Sequence, residues 1–146
     1  MIYTIGFTQK TAESFFDLLT ESKVDIVIDI RLNNTSQLAS FAKFPDIKFF
    51  LAKIGSIDYI HDVFLAPTED LLKSYKAKIV SWQDYEVVFE KTMLERNIEK
   101  HIEEKYAKYS NKNICLLCSE PTAEKCHRRL VAEYFKNILG TPIIHL

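Results

Sequence analysis

Glycine is scarce in this sequence, with 3 in 146 residues, and the scarcity excludes two nucleotide-binding motifs. Gly55 and Gly140 follow predicted helices, so only Gly6 lies near the end of a predicted strand. Neither GxGxxG nor GxxxxGK[ST] can be written from the chain. The sequence therefore lacks both the dinucleotide fingerprint of Rossmann folds and a P-loop.

Cysteines are few and long apolar runs are missing. The 3 cysteines form no paired disulfide framework, which agrees with a reducing compartment. No stretch reaches about 18 uncharged apolar residues, and the N-terminus MIYTIGF lacks the basic start and apolar core of a secretory signal. We therefore expect a cytoplasmic protein without a membrane span.

Neither sign of charge dominates the chain. Its 19 basic and 20 acidic residues give a formal net charge of -1, and the pI is near 6.4. This balance argues against a protein held to nucleic acid by a basic surface over the whole domain, although it leaves room for a local basic patch.

Five short β-rich runs alternate with helical patterns, as in α/β proteins. The runs cover residues 2–5, 24–30, 57–61, 114–118 and 142–146. Ile26 to Ile28 and Ile114 to Leu117 are apolar on both faces, which is typical of parallel strands covered by helices. We predict one three-layer α/β domain over residues 1–146, with a mostly parallel sheet of about five strands and helices on both faces.

Capping residues predict where the helices begin. Thr11 suits the N-cap of a helix to Glu21, Asp46 one to Ile54, and Thr122 one to Leu139. Residues 68–110 are predicted as a helical insertion, with helices over about 69–79 and 83–109.

Polar residues gather where the fourth strand gives way to the last helix. Cys118 ends the strand, Glu120 follows in the loop, and Cys126, His127 and Arg128 fall in the second turn of the helix predicted from Thr122. Ligands of parallel sheets bind at this edge, where helix N-termini favour anions. We predict Cys118, Cys126 and His127 as catalytic groups, and Glu120 and Arg128 as ligand-binding groups.

Three other predicted strands contribute to the same edge. Asp29 and Arg31 share side-chain parity after the second strand, so Arg31 is predicted to bind phosphate or carboxylate while Asp29 orients it or acts as a base. Gly6 closes the first strand and His61 the third, and both are predicted ligand-binding residues. The alternative for Asp29 and Arg31 is a structural salt bridge.

Helical periodicity separates the side chains around the second cysteine of this region. His127 lies on the apolar face, whereas Arg129 falls on the opposite, solvated face. Cys126 lies at the boundary, where the helix N-terminus and basic neighbours are expected to lower its thiol pKa. The alternative is purely structural: a packing cysteine, a hydrogen-bonded histidine, and an Arg128 that pairs with a carboxylate.

The cysteine spacings do not match common metal or redox motifs. Cys115 and Cys118 form a CxxC within one strand, but residues three apart point to opposite faces, so Cys115 is predicted to be structural. The C-x7-C-H spacing of Cys118, Cys126 and His127 fits no common structural zinc pattern, and we expect no metal.

The chain resembles the domain of unknown function 488 family over nearly its whole length. The resemblance is carried by TIGFT from Thr4, DIR from Asp29, DYIH from Asp58 and, most specifically, CSEPTAEKCHRRL from Cys118. It implies an α/β fold and a shared site with C-x-E and C-H-R elements, but no settled reaction or cofactor. Many members have a histidine where this chain has Phe7, and LAPTEDLL over 65–72 replaces their glycine pair.

Two classes of function follow. The first is a small enzyme, or a domain descended from one, that binds an anionic nucleotide or phosphorylated metabolite and uses thiol chemistry. The second is a non-catalytic regulator that binds nucleic acid through Lys125, Arg128, Arg129 and exposed lysines of the helix predicted over 83–109. A scaffold protein that uses the helices of 83–109 is a further alternative. The reaction, the cofactor and the oligomeric state are left open.

Overall fold

The computed structural model describes residues 1–146 as a three-layer α/β fold, as predicted. Its five strands are β1 (Ile2–Gly6), β2 (Ile26–Asp29), β3 (Asp58–His61), β4 (Ile114–Cys118) and β5 (Ile143–His145). All neighbouring pairs are parallel, in the order β3-β2-β4-β1-β5. The carboxyl ends of all strands therefore lie at one edge of the sheet.

Helices cover both faces of the sheet. On one face lie α1 (Ala12–Glu21) and α2 (Asp46–Gly55). The other face carries α3 (Glu69–Lys76), α4 (Trp82–Glu95), α5 (Ile98–Tyr106) and α6 (His127–Leu139). Short 3-10 turns span Gln37–Ala42, Val63–Leu65 and Ala107–Tyr109.

Strand β4 lies at the centre and is buried on both faces. Ile114 and Leu116 pack in the core beneath α4 to α6, whereas Cys115 and Leu117 pack beneath α1 and α2. This alternation explains the continuous apolar run. Cys115 is completely buried, which raises the pKa of its thiol and agrees with the predicted structural role.

Three predicted helix boundaries are wrong. The last helix begins at His127 with Cys126 as its N-cap. Thr122 is exposed in the preceding turns and caps no helix. The helix predicted over 83–109 is broken at Asn97, whose φ of 51° is left-handed. Pro45, not Asp46, is the N-cap of α2.

A buried carboxylate fastens α5 to the end of β3. Asp62 accepts hydrogen bonds from His101 at 2.8 Å, Lys105 at 2.9 Å and the Tyr106 hydroxyl at 2.5 Å. The carboxylate is tolerated at 3% exposure because three side chains donate hydrogen bonds to it and Lys105 carries the opposite charge. None of the helices combines the length and the apolar composition of a membrane-spanning segment.

Candidate functional site

A cleft of about 90 Å³ opens at the carboxyl ends of β2 and β4, between the sheet edge and the helices α3 and α4. Five of the predicted site residues line it: Arg31, Cys118, Glu120, Cys126 and His127. They come from the loop after β2, the end of β4, the following turns and the start of α6. The topology therefore brings together residues that are far apart in the chain.

Cys118 and His127 form a close pair on the floor of the cleft. The Cys118 Sγ lies 3.6 Å from His127 Nδ1, and the two side chains are 5% and 6% exposed. Cys118 is the last residue of β4, and its side chain points to the face of the sheet that α6 covers. Strand parity thus separates this thiol from the buried Cys115.

The backbone fixes the tautomer of His127. Its Nε2 lies 2.9 Å from the carbonyl oxygen of Ile30, which can only accept a hydrogen bond. Nε2 therefore carries a proton, and in the neutral ring Nδ1 has a free lone pair. That lone pair is available toward the sulfur of Cys118.

Cys126 is the second thiol beside this pair. It is the N-cap of α6, it is 2% exposed, and it provides no side-chain cap bond. The three ligating atoms of Cys118, Cys126 and His127 lie within 4.8 Å of one another. Together these residues are called the thiol–imidazole cluster.

The two thiols of the cluster differ in acidity. The hydrogen bond from Cys126 and the N–H groups of Ser119 and Glu120 lower the pKa of Cys118, aided by the charge of Arg128, and together they outweigh burial. The same hydrogen bond, together with burial, raises the pKa of Cys126. This direction is opposite to the expectation for Cys126, because the polar donors converge on Cys118.

Arg128 lies beneath the cleft and is completely buried. Its Nη1 donates to the Glu120 carbonyl oxygen at 2.6 Å and its Nε to the Thr4 hydroxyl at 3.3 Å. A further contact joins Nη1 to the Cys126 Sγ at 3.5 Å. Arg128 forms no ion pair with a carboxylate, so it holds the loop after β4 and adds positive charge below the cluster.

Arg31 lines the cleft while most of its guanidinium is bound inside the protein. Its Nε and Nη2 donate to the carboxylate of Asp29 at 2.8 and 2.7 Å, and Nη2 also donates to the Ala42 carbonyl oxygen at 2.8 Å. Nη1 has no hydrogen-bond partner. The centroid of the Phe7 ring lies 5.3 Å from the guanidinium carbon, so Phe7 packs on Arg31.

Four predicted site residues lie behind the cleft surface. Asp29 is completely buried between Arg31 and the hydroxyl of Tyr59, which donates to it at 2.6 Å. His61 Nε2 lies 2.8 Å from the Arg31 carbonyl oxygen. Gly6 and Arg128 both lie under the Glu120 carbonyl. These positions support the cleft without lining it.

An aromatic wall was missed by sequence reasoning. Tyr75, Trp82 and Tyr85 line the cleft opposite the cluster, and the rings of Trp82 and Tyr85 stack with centroids 5.0 Å apart. Tyr85 falls within the helix predicted over 83–109. The dense aromatics of 75–85 were the available signal, but periodicity alone does not separate a cleft wall from core.

The comparisons with known proteins identify a family and nothing more specific. The family model described as domain of unknown function DUF488 matches residues 11–135. No curated protein matches the chain, and no solved structure matches it.

Proposed function

The chain belongs to the family of the domain of unknown function DUF488, and within it we propose that this protein is a small-molecule enzyme. Its cleft binds an anionic ligand beside the thiol–imidazole cluster. The observation that carries the proposal is the Cys118 and His127 pair, 3.6 Å apart on the floor of a lined cleft. A thiol beside an oriented imidazole is the usual arrangement of an activated nucleophile.

The charges around the cleft support an anionic ligand. Arg31, Lys76 and Lys125 line it, against Glu120 as the one acidic side chain. Helix α6 also begins at the cleft, and no side-chain oxygen caps its N-terminus. The free N–H groups of its first turn favour a negatively charged ligand. Nη1 of Arg31 retains its donors for a phosphate or carboxylate.

The aromatic wall narrows the ligand class. Trp82 is the only tryptophan of the chain and Tyr75 lies beside it, at a centroid distance of 5.8 Å. Aromatic side chains favour planar groups, so we expect the part of the ligand that lies against this wall to be a planar ring, such as the base of a nucleotide.

Cys118 and His127 have complementary roles in the proposed chemistry. His127 Nδ1 accepts the proton of the Cys118 thiol, and the thiolate attacks an electrophilic atom of the ligand and displaces a leaving group, to which His127 returns the proton. The Ile30 carbonyl holds the imidazole in the required tautomer through Nε2. Glu120 lies at the rim, where its carboxylate can orient the ligand.

Ligand binding is tested by thermal unfolding and by the fluorescence of Trp82, with a panel of nucleoside monophosphates, sugar phosphates and inorganic phosphate. A ligand at 100 times its dissociation constant stabilises the fold by about 2.7 kcal/mol. We expect Lys125→Gln to weaken binding, whereas Lys136→Gln, an exposed lysine in the last turn of α6, serves as the matched control. A panel that leaves both signals unchanged contradicts the proposal.

The thiol role is tested by iodoacetamide labelling with mass spectrometric mapping. We expect Cys118 to react faster than Cys115, which lies on the same strand but packs beneath α1 and α2. A bound panel ligand should slow labelling of Cys118. Equal labelling rates for the two cysteines would remove Cys118 as the reacting group.

The nucleic-acid alternative finds less support in the same geometry. Of the three contacts proposed near the start of α6, Arg128 is completely buried and Arg129 pairs with Glu86 and Glu133. Only Lys125 is exposed and forms no ion pair. Binding to a duplex that is lost between low and moderate salt would favour this alternative.

A further inference from the structure

We propose that the thiol–imidazole cluster binds a thiophilic divalent metal ion of the Zn²⁺ class. The inference names a cofactor for the cleft and rests on the proposed function only in sharing that cleft. Its ligands are the sulfur atoms of Cys118 and Cys126 and the Nδ1 of His127, which lie within 4.8 Å of one another.

The spacing of the ligand atoms suits a tetrahedral ion. Zinc binds sulfur at about 2.3 Å and imidazole nitrogen at about 2.0 to 2.1 Å, so at a tetrahedral angle the two ligand atoms are about 3.5 Å apart. The Cys118 Sγ and His127 Nδ1 are separated by 3.6 Å. The pair therefore needs almost no movement to share one ion.

The histidine is already prepared as a metal ligand. Metal-bound histidines usually donate their other ring N–H to a carbonyl or a carboxylate, which fixes the ring orientation. Here Nε2 contacts the Ile30 carbonyl oxygen at 2.9 Å and leaves Nδ1 free to coordinate. The carbonyl group of Ile30, directly after β2, thereby holds the ring of His127 in the orientation that a metal ligand needs.

The surroundings of the sulfur atoms suit two thiolates. The Arg128 Nη1 lies 3.5 Å from the Cys126 Sγ, and this buried cation has no carboxylate partner. Two thiolates and one divalent ion form a neutral unit, to which Arg128 donates a hydrogen bond as outer-shell groups do at metal sites. Metal binding therefore adds no net charge beside the buried guanidinium.

The cluster leaves one coordination position open. It has three protein ligands, all at least 94% buried, and each of the three residues also lines the cleft. Three protein ligands with a fourth position open to water or substrate distinguish catalytic zinc sites from structural ones. In the metal-bound state Cys118 would be a ligand and not the nucleophile of the proposed chemistry, so the two states are alternatives, and the ion would supply Lewis-acid polarisation of an oxygen of the anionic ligand.

The spacing argument against metal does not apply to this geometry. Common structural zinc patterns place pairs of ligands on one turn or hairpin, whereas here the ligands come from a strand end and a helix start. The C-x7-C-H spacing spans the turns that fold Cys126 back toward Cys118. Proximity is created by the tertiary fold and has no short sequence signature.

The test is titration of chelator-treated, reduced protein with Co²⁺ and then Zn²⁺, followed by absorption spectroscopy. We expect one equivalent of Co²⁺ to give thiolate charge-transfer and tetrahedral d–d bands, and Zn²⁺ to abolish them. Cys118→Ser and Cys126→Ser should each weaken binding at least about 100-fold. Cys115→Ser, outside the cluster, should retain wild-type affinity. Circular dichroism checks that each variant is folded.

Either of two results overturns the inference. The first is the absence of a thiolate band when Co²⁺ is added to the wild-type protein, and the second is an equal affinity for Co²⁺ in wild type, Cys118→Ser and Cys126→Ser. The ligand panel separates this failure from failure of the proposed function. Anion binding without a metal band removes the ion alone, whereas a metal band without any anion effect removes the anionic ligand alone.

Discussion

The carbonyl oxygen of Glu120 lies against the Cα of Gly6, so that a Cβ added at Gly6 would be 1.6 Å from this oxygen. The same oxygen accepts the 2.6 Å hydrogen bond from Arg128. The end of β1, the loop after β4 and the start of α6 therefore meet at one point beneath the cleft. Glycine is needed there for space, since its φ is ordinary.

Replacement of Gly6 by alanine should destabilise the protein by about 3 kcal/mol, because the clash is with backbone and cannot be relieved by a rotamer change. Urea denaturation measures the effect. Gly140→Ala is the contrasting variant, since it meets no atom within 4 Å but has a φ of +65°, and it should cost about 1 kcal/mol. Equal losses for both variants would contradict the close approach.

Replacement of Arg128 by leucine should cost about 3 kcal/mol, since it removes buried charge-assisted hydrogen bonds to Glu120 and Thr4 and leaves their acceptors unpaired. Arg129→Leu is the neighbouring control. It loses partly exposed pairs with Glu86 and Glu133 and should cost no more than about 1 kcal/mol. If both variants lose equal stability in urea, Arg128 does not anchor the loop.

The buried Asp62 should make stability depend on acid pH. Burial raises its pKa, but hydrogen bonds from Tyr106, His101 and Lys105 outweigh burial and hold the pKa below its ordinary value of 3.8. Because the folded-state pKa is the lower one, the contribution is fully present well above pH 3.8 and is lost as the pH falls through the folded-state value. The Asp62→Asn variant should therefore be less stable at pH 7.

The difference in unfolding free energy between wild type and Asp62→Asn, measured from pH 7 to pH 2.5, checks this prediction. It should narrow below about pH 4, the ordinary range of an unfolded aspartate. Asp70→Asn, an exposed residue in the first turn of α3, controls for general effects of lost negative charge. A difference that stays constant with pH would show that Asp62 acts by packing and not by charge.

Tyr59→Phe should cost about 1.5 kcal/mol. The Tyr59 hydroxyl donates to Asp29 at 2.6 Å and accepts from Asn34 at 3.0 Å, and both partners are buried. Tyr3→Phe provides a matched control, because the hydroxyl of Tyr3 makes no hydrogen bond and packs at the margin of the same core. Thermal unfolding of both variants should show a loss only for Tyr59→Phe.

The sheet was predictable from sequence because its signal is local. Apolar runs such as 114–117 require burial on both faces, and parity alone assigned Cys115 and Cys118 to opposite sides. The same logic placed His127 on the inner face of its helix, where it is 6% exposed. These features depend on neighbouring residues and on the two regular periods of strand and helix.

The helix boundaries and the cleft wall could not be predicted, because they depend on contacts between segments that are not neighbours in the sequence. Thr122 has the residue type of an N-cap, but the helix begins at His127, after a loop that the hydrogen bond from Arg128 to the Glu120 carbonyl oxygen holds. Asn97 enters the left-handed region within an apparently continuous helical pattern. The aromatic wall and the proximity of Cys126 to Cys118 likewise arise only when distant segments pack together.

The central position of β4 also constrains the order in which the chain can fold. Strands β1 and β2 do not pair with each other, since β4 lies between them and pairs with both. During synthesis, the segment up to β3 can therefore form the β2 and β3 pair but has no partner for β1 until residue 118 has left the ribosome. Such late, long-range pairing is slow. The strand that carries the thiol of the cleft is thus also the one that joins β1 to the pair of β2 and β3.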